Sequence, residues 1–255
     1  MKNQSENKVY TLAEVLGKHT IAELKQMTQV LEVKVLSKAK KQEIIDALSA
    51  KLLDKELLTA WLLAAGKQEI EELELAMAED VVIAEESGRF YYWRNLPVVF
   101  VTGDGVVVVP SETAAVYNEI KSDSEYAQKR SRINVFDEYL MSCVNLYRAI
   151  DITTFLSIVN GQTGMNAKRP ELESWLKDRE AVRGQQMYFF EGGYILSEEY
   201  RTKKEGEVVD YHQLLERQGA MSYYIPAKSE LLRYADPYYL SLIHISEPTR
   251  RSYIS

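Results

Sequence analysis

Apolar residues near the start of the chain recur at helical spacing, and a residue able to cap a helix stands before each run. Thr11 opens a short stretch reaching Lys18, with Glu14 three residues on to complete a capping box. Thr20 repeats the signal ahead of Ile21, Leu24, Met27 and Leu31, which share one helical face, while Glu23, Lys25 and Gln29 fall between them. Residues 32–36 alternate and are β-branched, which predicts an extended link. Ser37 is then expected to cap a helix whose buried stripe is Ile44, Ile45, Leu48 and Leu52. The pattern predicts a helix-extended-helix unit over residues 11–53.

Residues 54–77 form a second helical region through Leu57, Leu58, Trp61, Leu62, Ile70, Leu73 and Met77, with a break at Gly66. The run PVVFVTGDGVVVVP, residues 97–110, reads as a β-hairpin turned at Gly103-Asp104-Gly105 and closed by Pro97 and Pro110. Helix, helix, hairpin is the order of a winged-helix-like unit, assigned to residues 54–120. The order recurs over 133–240: an amphipathic stretch at 136–149, a helix at 152–159 after a turn at Asp151, and a helix at 169–183 with Pro170 at its first position. MYFFEGGYILSEEY then supplies two strands around Glu191-Gly192-Gly193. Between the two units, residues 121–132 are polar and mixed in charge, as a linker or exposed helix would be. A last helix at 211–218 precedes an aromatic loop. The expected fold class is α+β and mostly helical: an N-terminal helix-extended-helix module followed by two winged-helix-like units with small β-hairpins.

Composition narrows the class without changing that picture. Of 255 residues, 46% are hydrophobic and 27% charged, the balance of an ordinary globular protein, and the length suits two or three domains. The net charge of −7 argues against nucleic acid until its distribution is considered. Residues 1–50 hold eight lysines against six carboxylates, a net +2 that leaves −9 for the remainder. Only the N-terminal segment has an electrostatic reason to approach phosphate. The opening residues lack the apolar stretch of a signal peptide and no segment offers the length of a membrane span, so a cytoplasmic location is expected and no membrane partner. Cys143, the sole cysteine, sits among Leu140, Val144 and Tyr147 and is expected in a core. The last residues, 241–255, resemble translated sequencing-adapter read-through; on that reading the tail is artefactual and the native chain differs after Leu240.

The run TIAELKQMTQVLEVKVLSKAKKQEIIDAL resembles the N-terminal domain of transcription termination factor Rho. In that family an ELK-type helix is followed by an extended link and a helix of pattern K-K-x-E-[LI]-I-x-A-[IL]. SAP and related helix-extended-helix domains share the skeleton and also bind nucleic acid. The resemblance is confined to residues 11–53 and implies a module that engages RNA or DNA in a transcription-associated role, termination or regulation. It does not extend to an ATPase, because G-x-x-x-x-G-K-[ST] is absent from the chain.

Within this module Lys34, Lys38, Lys40 and Lys41 are the expected phosphate contacts. The plainer alternative is a solvated, solubilising face, but lysines at a helix N-terminus oppose the macrodipole, so local stability does not account for them. The string Gly88-Arg89-Phe90-Tyr91-Tyr92-Trp93-Arg94 mixes aromatics with arginines as single-strand binders do, yet is better read as a half-buried connector packed under the hairpin. On the helix at 169–183 and just before it, Lys168, Arg169, Lys177, Arg179 and Arg183 are balanced by Glu171, Glu173, Asp178 and Glu180, which suits a protein surface better than a DNA groove. Glu71-Glu72 and Glu198-Glu199 have no partner at a diagnostic spacing, and His19 and His212 are expected at the surface. No catalytic residues, cofactor or metal are therefore assigned. The expectation is a non-catalytic nucleic-acid-binding protein whose acidic C-terminal units offer a possible protein-binding surface; the alternative is a protein-interaction scaffold.

Overall fold

Two threonine caps set the first helices. The computed structural model describes residues 9–84, 87–183, 188–200, 215–216, 223–236 and 239. His212, most of the helix expected at 211–218 and the tail at 241–255 lie outside them. In α1 (Leu12–Gly17) and α2 (Ile21–Val30) the Thr11 and Thr20 hydroxyls accept from the Glu14 and Glu23 N–H groups at 3.2 and 3.3 Å. The two glutamate carboxylates accept the threonine N–H groups in return, at 2.8 and 2.7 Å. The buried face of α2 is Leu24 and Thr28, continued by Leu31, while Ile21 is exposed and Met27 half-buried. That face is rotated from the expected stripe. Thr28 can be buried because its hydroxyl donates to the Lys25 carbonyl at 2.7 Å.

α2 ends in a Schellman arrangement. Glu32 adopts φ 53°, its N–H donates to the Gln29 carbonyl at 3.3 Å, and the Val33 N–H reaches Thr28 at 2.8 Å. Residue 32 is therefore left-handed rather than extended. α3 (Lys41–Leu52) starts later than the sequence suggested: its N-cap is Lys40, whose N–H donates to the Glu43 carboxylate at 2.7 Å, and Ser37 does not cap it. A turn closed by the Ala39 N–H on the Leu36 carbonyl at 3.0 Å intervenes, and the Ser37 carbonyl accepts from the Lys25 ammonium at 3.1 Å. Ile44, Ile45, Leu48 and Leu52 are buried as expected, and α3 packs on both α1 and α2.

α4 (Lys55–Ala64), capped by Asp54, and α5 (Lys67–Ala78) are separated at Gly66. The expected hairpin is present as β2 (Phe100–Val101) and β3 (Val106–Val108), and an unforeseen strand, β1 (Val81–Val82), pairs with β3 to give the antiparallel order β1-β3-β2. At Gly105, φ 81°, a Cβ would lie 2.7 Å from the Ile83 carbonyl oxygen, so the β1 edge can close on the turn only with glycine there. α6 (Tyr91–Asn95) follows β1, and α7 (Ser111–Lys121), also unforeseen, buries Thr113, Tyr117 and Ile120. Burial alone would raise the Glu74 carboxyl, but donors from Lys121 and the Tyr117 hydroxyl hold it below the ordinary range.

α8 (Ser124–Tyr147) is one continuous helix, and of the two expectations for residues 121–132, a linker or an exposed helix, most of the segment takes the second. The chain divides into two compact units, residues 1–130 and 131–255, and the division falls within this helix. In the first unit the Arg130 guanidinium donates to the Leu62 and Ala65 carbonyls at 3.0 and 2.6 Å, closing the C-terminal end of α4.

The second unit continues with β4 (Ala149–Asp151), α9 (Ile152–Thr163), α10 (Arg169–Arg183), β5 (Tyr188–Glu191) and β6 (Tyr194–Ser197), in the antiparallel sheet order β4-β6-β5. β4 stands where only a turn was expected. Gly192 and Gly193, at φ 58° and 89°, make the two-residue turn that joins β5 to β6 with Glu191 opposite Tyr194. Between α8 and α10, Asp137 and Arg179 form a buried ion pair, and Arg179 lies over the Trp175 ring at 5.0 Å. The described residues are mostly helical with two small three-stranded antiparallel sheets, an α+β protein.

Two outcomes follow from these contacts. A left-handed Glu32 costs about 1–2 kcal/mol, and glycine forfeits about 0.5–1 of that through unfolded-chain entropy. Glu32→Gly is therefore expected to raise stability by about 0.5–1 kcal/mol, read as a higher thermal midpoint; a lower one would contradict the left-handed cap. Asp137→Ala leaves a buried guanidinium without its carboxylate and is expected to cost about 3–5 kcal/mol, read from the denaturant midpoint of the second unit.

Candidate nucleic-acid interface

The lysines of the N-terminal module divide by what their ammonium groups touch. Lys41 donates to the Gly17 carbonyl at 2.5 Å, at the C-terminal end of α1 where a cation is favoured. Lys25 holds the Ser37 carbonyl, and Lys18 lies 4.3 Å from the centre of the Tyr10 ring. Lys34, Lys38 and Lys40 are exposed, and none has a carboxylate partner among the described residues. Of the four expected phosphate contacts, three stand in solvent on the α2–α3 link and one doubles as an internal pin. Spacing alone could not separate them, because Lys40 and Lys41 are neighbours and only the Gly17 carbonyl distinguishes their surroundings.

The link carries these lysines on a fixed path. Exposure alternates along it, with Glu32, Lys34 and Leu36 outward and Val33 and Val35 half-buried, the two-residue period of an extended chain. Its ends are tied by the Schellman bonds on one side and by the Leu36–Ala39 turn and the Lys25 ammonium on the other. Leu36 is 80% exposed and Val30 66%. Neither apolar exposure was singled out from sequence. At the start of α3 the Glu43 carboxylate is engaged by the Lys40 N–H, which leaves the Lys40 side chain to solvent.

The remaining sequence candidates have structural roles. Phe90 and Trp93 are fully buried and Tyr92 nearly so; the Tyr92 hydroxyl donates to the Trp61 carbonyl at 2.6 Å and the Trp93 indole to Glu69 at 2.5 Å. The aromatic string is thus anchored to α4 and α5, and of its aromatic side chains only Tyr91 is exposed. Glu72 accepts from the Phe90 N–H at 3.0 Å, which supports the left-handed Phe90 at φ 60°. On α10, Leu172, Trp175, Leu176 and Arg179 face inward, and the outer face mixes Lys177 with Asp178 and Glu180 while Arg169 pairs with Glu173 at 2.8 Å. His19 is half-buried, 3.8 Å from Glu23. Burial pushes the Cys143 thiol up to about 12, so it stays protonated at neutral pH.

Two open depressions of about 460 and 480 Å³ flank the β2–β3 hairpin. The first is lined by Glu79, Asp80 and Asp104, a sign unsuited to phosphate. Among the described residues there is no cluster of three or more His, Cys, Asp or Glu that could hold a metal, and no helix is long and apolar enough to cross a membrane. No protein-family model matches the chain, and no similarity to a curated protein or to a solved structure was found.

The division among lysines has a measurable signature. Lys41→Gln removes a charged hydrogen bond at a half-buried site and is expected to lower stability by about 1 kcal/mol. Lys34→Gln, Lys38→Gln and Lys40→Gln should each stay within about 0.5 kcal/mol of the parent. Equal thermal midpoints for all four variants would remove the distinction.

Proposed function

We propose that the chain is a non-catalytic nucleic-acid-binding protein, transcription-associated and cytoplasmic, whose Rho N-terminal-like module at residues 11–53 contacts the phosphates of RNA or DNA. The observation that carries this reading is the trio Lys34, Lys38 and Lys40, exposed and unneutralised on a link whose path is held at both ends. Lys41, the fourth expected contact, contributes less, its ammonium being committed to Gly17. Phosphates meeting the trio displace condensed counterions, so affinity is electrostatic, independent of sequence and lost with salt.

The two downstream segments, 54–120 and 133–240, are read as winged-helix-like. The second has the fuller support: helix, strand, two helices and a hairpin, with the first strand paired to the last. The first has the same strand order but only the short α6 between β1 and β2. A second reading, a protein-interaction scaffold, is favoured by the balanced charges on the outer face of α10, which suit a protein partner better than a DNA groove.

A salt titration separates the two. Binding of the full chain to labelled single-stranded RNA and DNA is measured by fluorescence anisotropy across ionic strengths. Because each phosphate contact on a single strand adds roughly 0.7 to the slope of log affinity against log salt, Lys34→Gln/Lys38→Gln/Lys40→Gln should flatten it by about 2. An unchanged slope, or no binding by the parent chain, would favour the scaffold.

A further inference from the structure

The same link presents an apolar side chain among its cations. Leu36 is 80% exposed, on the outward face of the link with Lys34 two residues before it and Lys38 two residues after. The inward positions are already filled by Val33 and Val35, so the core does not need Leu36. Its main chain is fixed: its carbonyl accepts from the Ala39 N–H at 3.0 Å, and the next carbonyl, that of Ser37, is held by the Lys25 ammonium at 3.1 Å. An isolated exposed leucine is ordinary. One held rigidly between unpaired lysines is placed wherever those lysines are placed.

We propose that Leu36 packs on the face of an unstacked base while Lys34 and Lys38 hold the flanking phosphates, which makes the partner a single-stranded nucleic acid. This rests on the phosphate-contact reading above and narrows it. In a duplex the base faces are covered by their neighbours, and reaching one requires prying a step apart. In a single strand the faces are open to side chains, and contact with them tolerates any sequence. The link offers one aliphatic side chain with no aromatic partner, enough to cover an open base but not to force a closed stack. The charge of the flanking lysines selects an anionic polymer, and the alternation of Lys34 and Leu36 at a two-residue step matches a ligand that alternates phosphate with apolar ring.

Leu36→Ala and the triple lysine variant are compared with the parent chain, all full length, by anisotropy on a single-stranded 20-mer of RNA, its DNA counterpart and a DNA duplex, with anionic phosphatidylserine vesicles as a fourth ligand. The proposal expects Leu36→Ala to weaken both single strands about tenfold, which is about 1.4 kcal/mol, with unchanged salt slope and unchanged duplex binding. Leu36→Met should restore the loss. A 2-aminopurine placed in the strand should change its fluorescence on binding the parent and less so on binding Leu36→Ala. Leu36→Ala binding like the parent while the lysine variant flattens the slope would overturn this proposal and leave the phosphate reading standing. Equal losses on single strand and duplex would overturn it, as would vesicle binding that depends on Leu36. A parent chain that binds none of the three oligonucleotides would overturn both readings.

Discussion

A helix of six residues does not persist alone in water, and ten or twelve are marginal; the N-terminal module therefore depends on burying one apolar stripe. Ile44, Ile45, Leu48 and Leu52 of α3 pack on α1 and α2, whose Leu12, Val15, Leu16 and Leu24 are correspondingly buried. Everything at the surface of the link is a by-product of that packing. The link must connect the end of α2 to the start of α3, and the hydrogen bonds that fix its two ends decide which side chains point outward. Lys34 and Leu36 face solvent because Val33 and Val35 are turned inward, and Lys38 and Lys40 are exposed at the turn and helix cap that follow.

Electrostatics then acts on a short scale. A chain of net charge −7 repels polyanions at long range. At physiological ionic strength exposed charges farther apart than about 8 Å are largely screened, so direct contacts outweigh the average. Three acidic groups of the module are themselves engaged: Glu14, Glu23 and Glu43 accept from backbone donors at helix starts, while Glu32 faces outward on the link. Their charge serves the helix termini, and the lysines of the link keep theirs.

Much of this was legible in the sequence, and the misses share causes. The capping boxes at Thr11 and Thr20, the break at Gly66, the β2–β3 hairpin and α10 were readable because each is set by neighbours three or four residues away. β1 and β4 were not, because strands of two and three residues have too little alternation to register and exist only through a distant partner. The cap of α3 was misassigned to Ser37 because a preferred residue type outweighed a turn that only the Leu36–Ala39 bond reveals. α7 shows the opposite failure: Thr113, Tyr117 and Ile120 lie at helical spacing, yet polar residues between them hid the stripe. At the candidate site, residue type and position led to the link on which Lys34, Lys38 and Lys40 stand exposed. They could not separate Lys41 from its neighbours, since a long-range carbonyl makes the difference. The exposure of Leu36 was invisible for the same reason that an apolar residue in a sequence is assumed to be buried.

The sole cysteine of the chain has a practical bearing on all of this. Cys143 is fully buried on α8, and its thiol is held protonated by burial. This chain is accordingly a silent background for thiol chemistry. A maleimide-linked fluorophore or spin label attached through a cysteine engineered into the α2–α3 link would report from that one place, without first having to rebuild the core around a replaced residue.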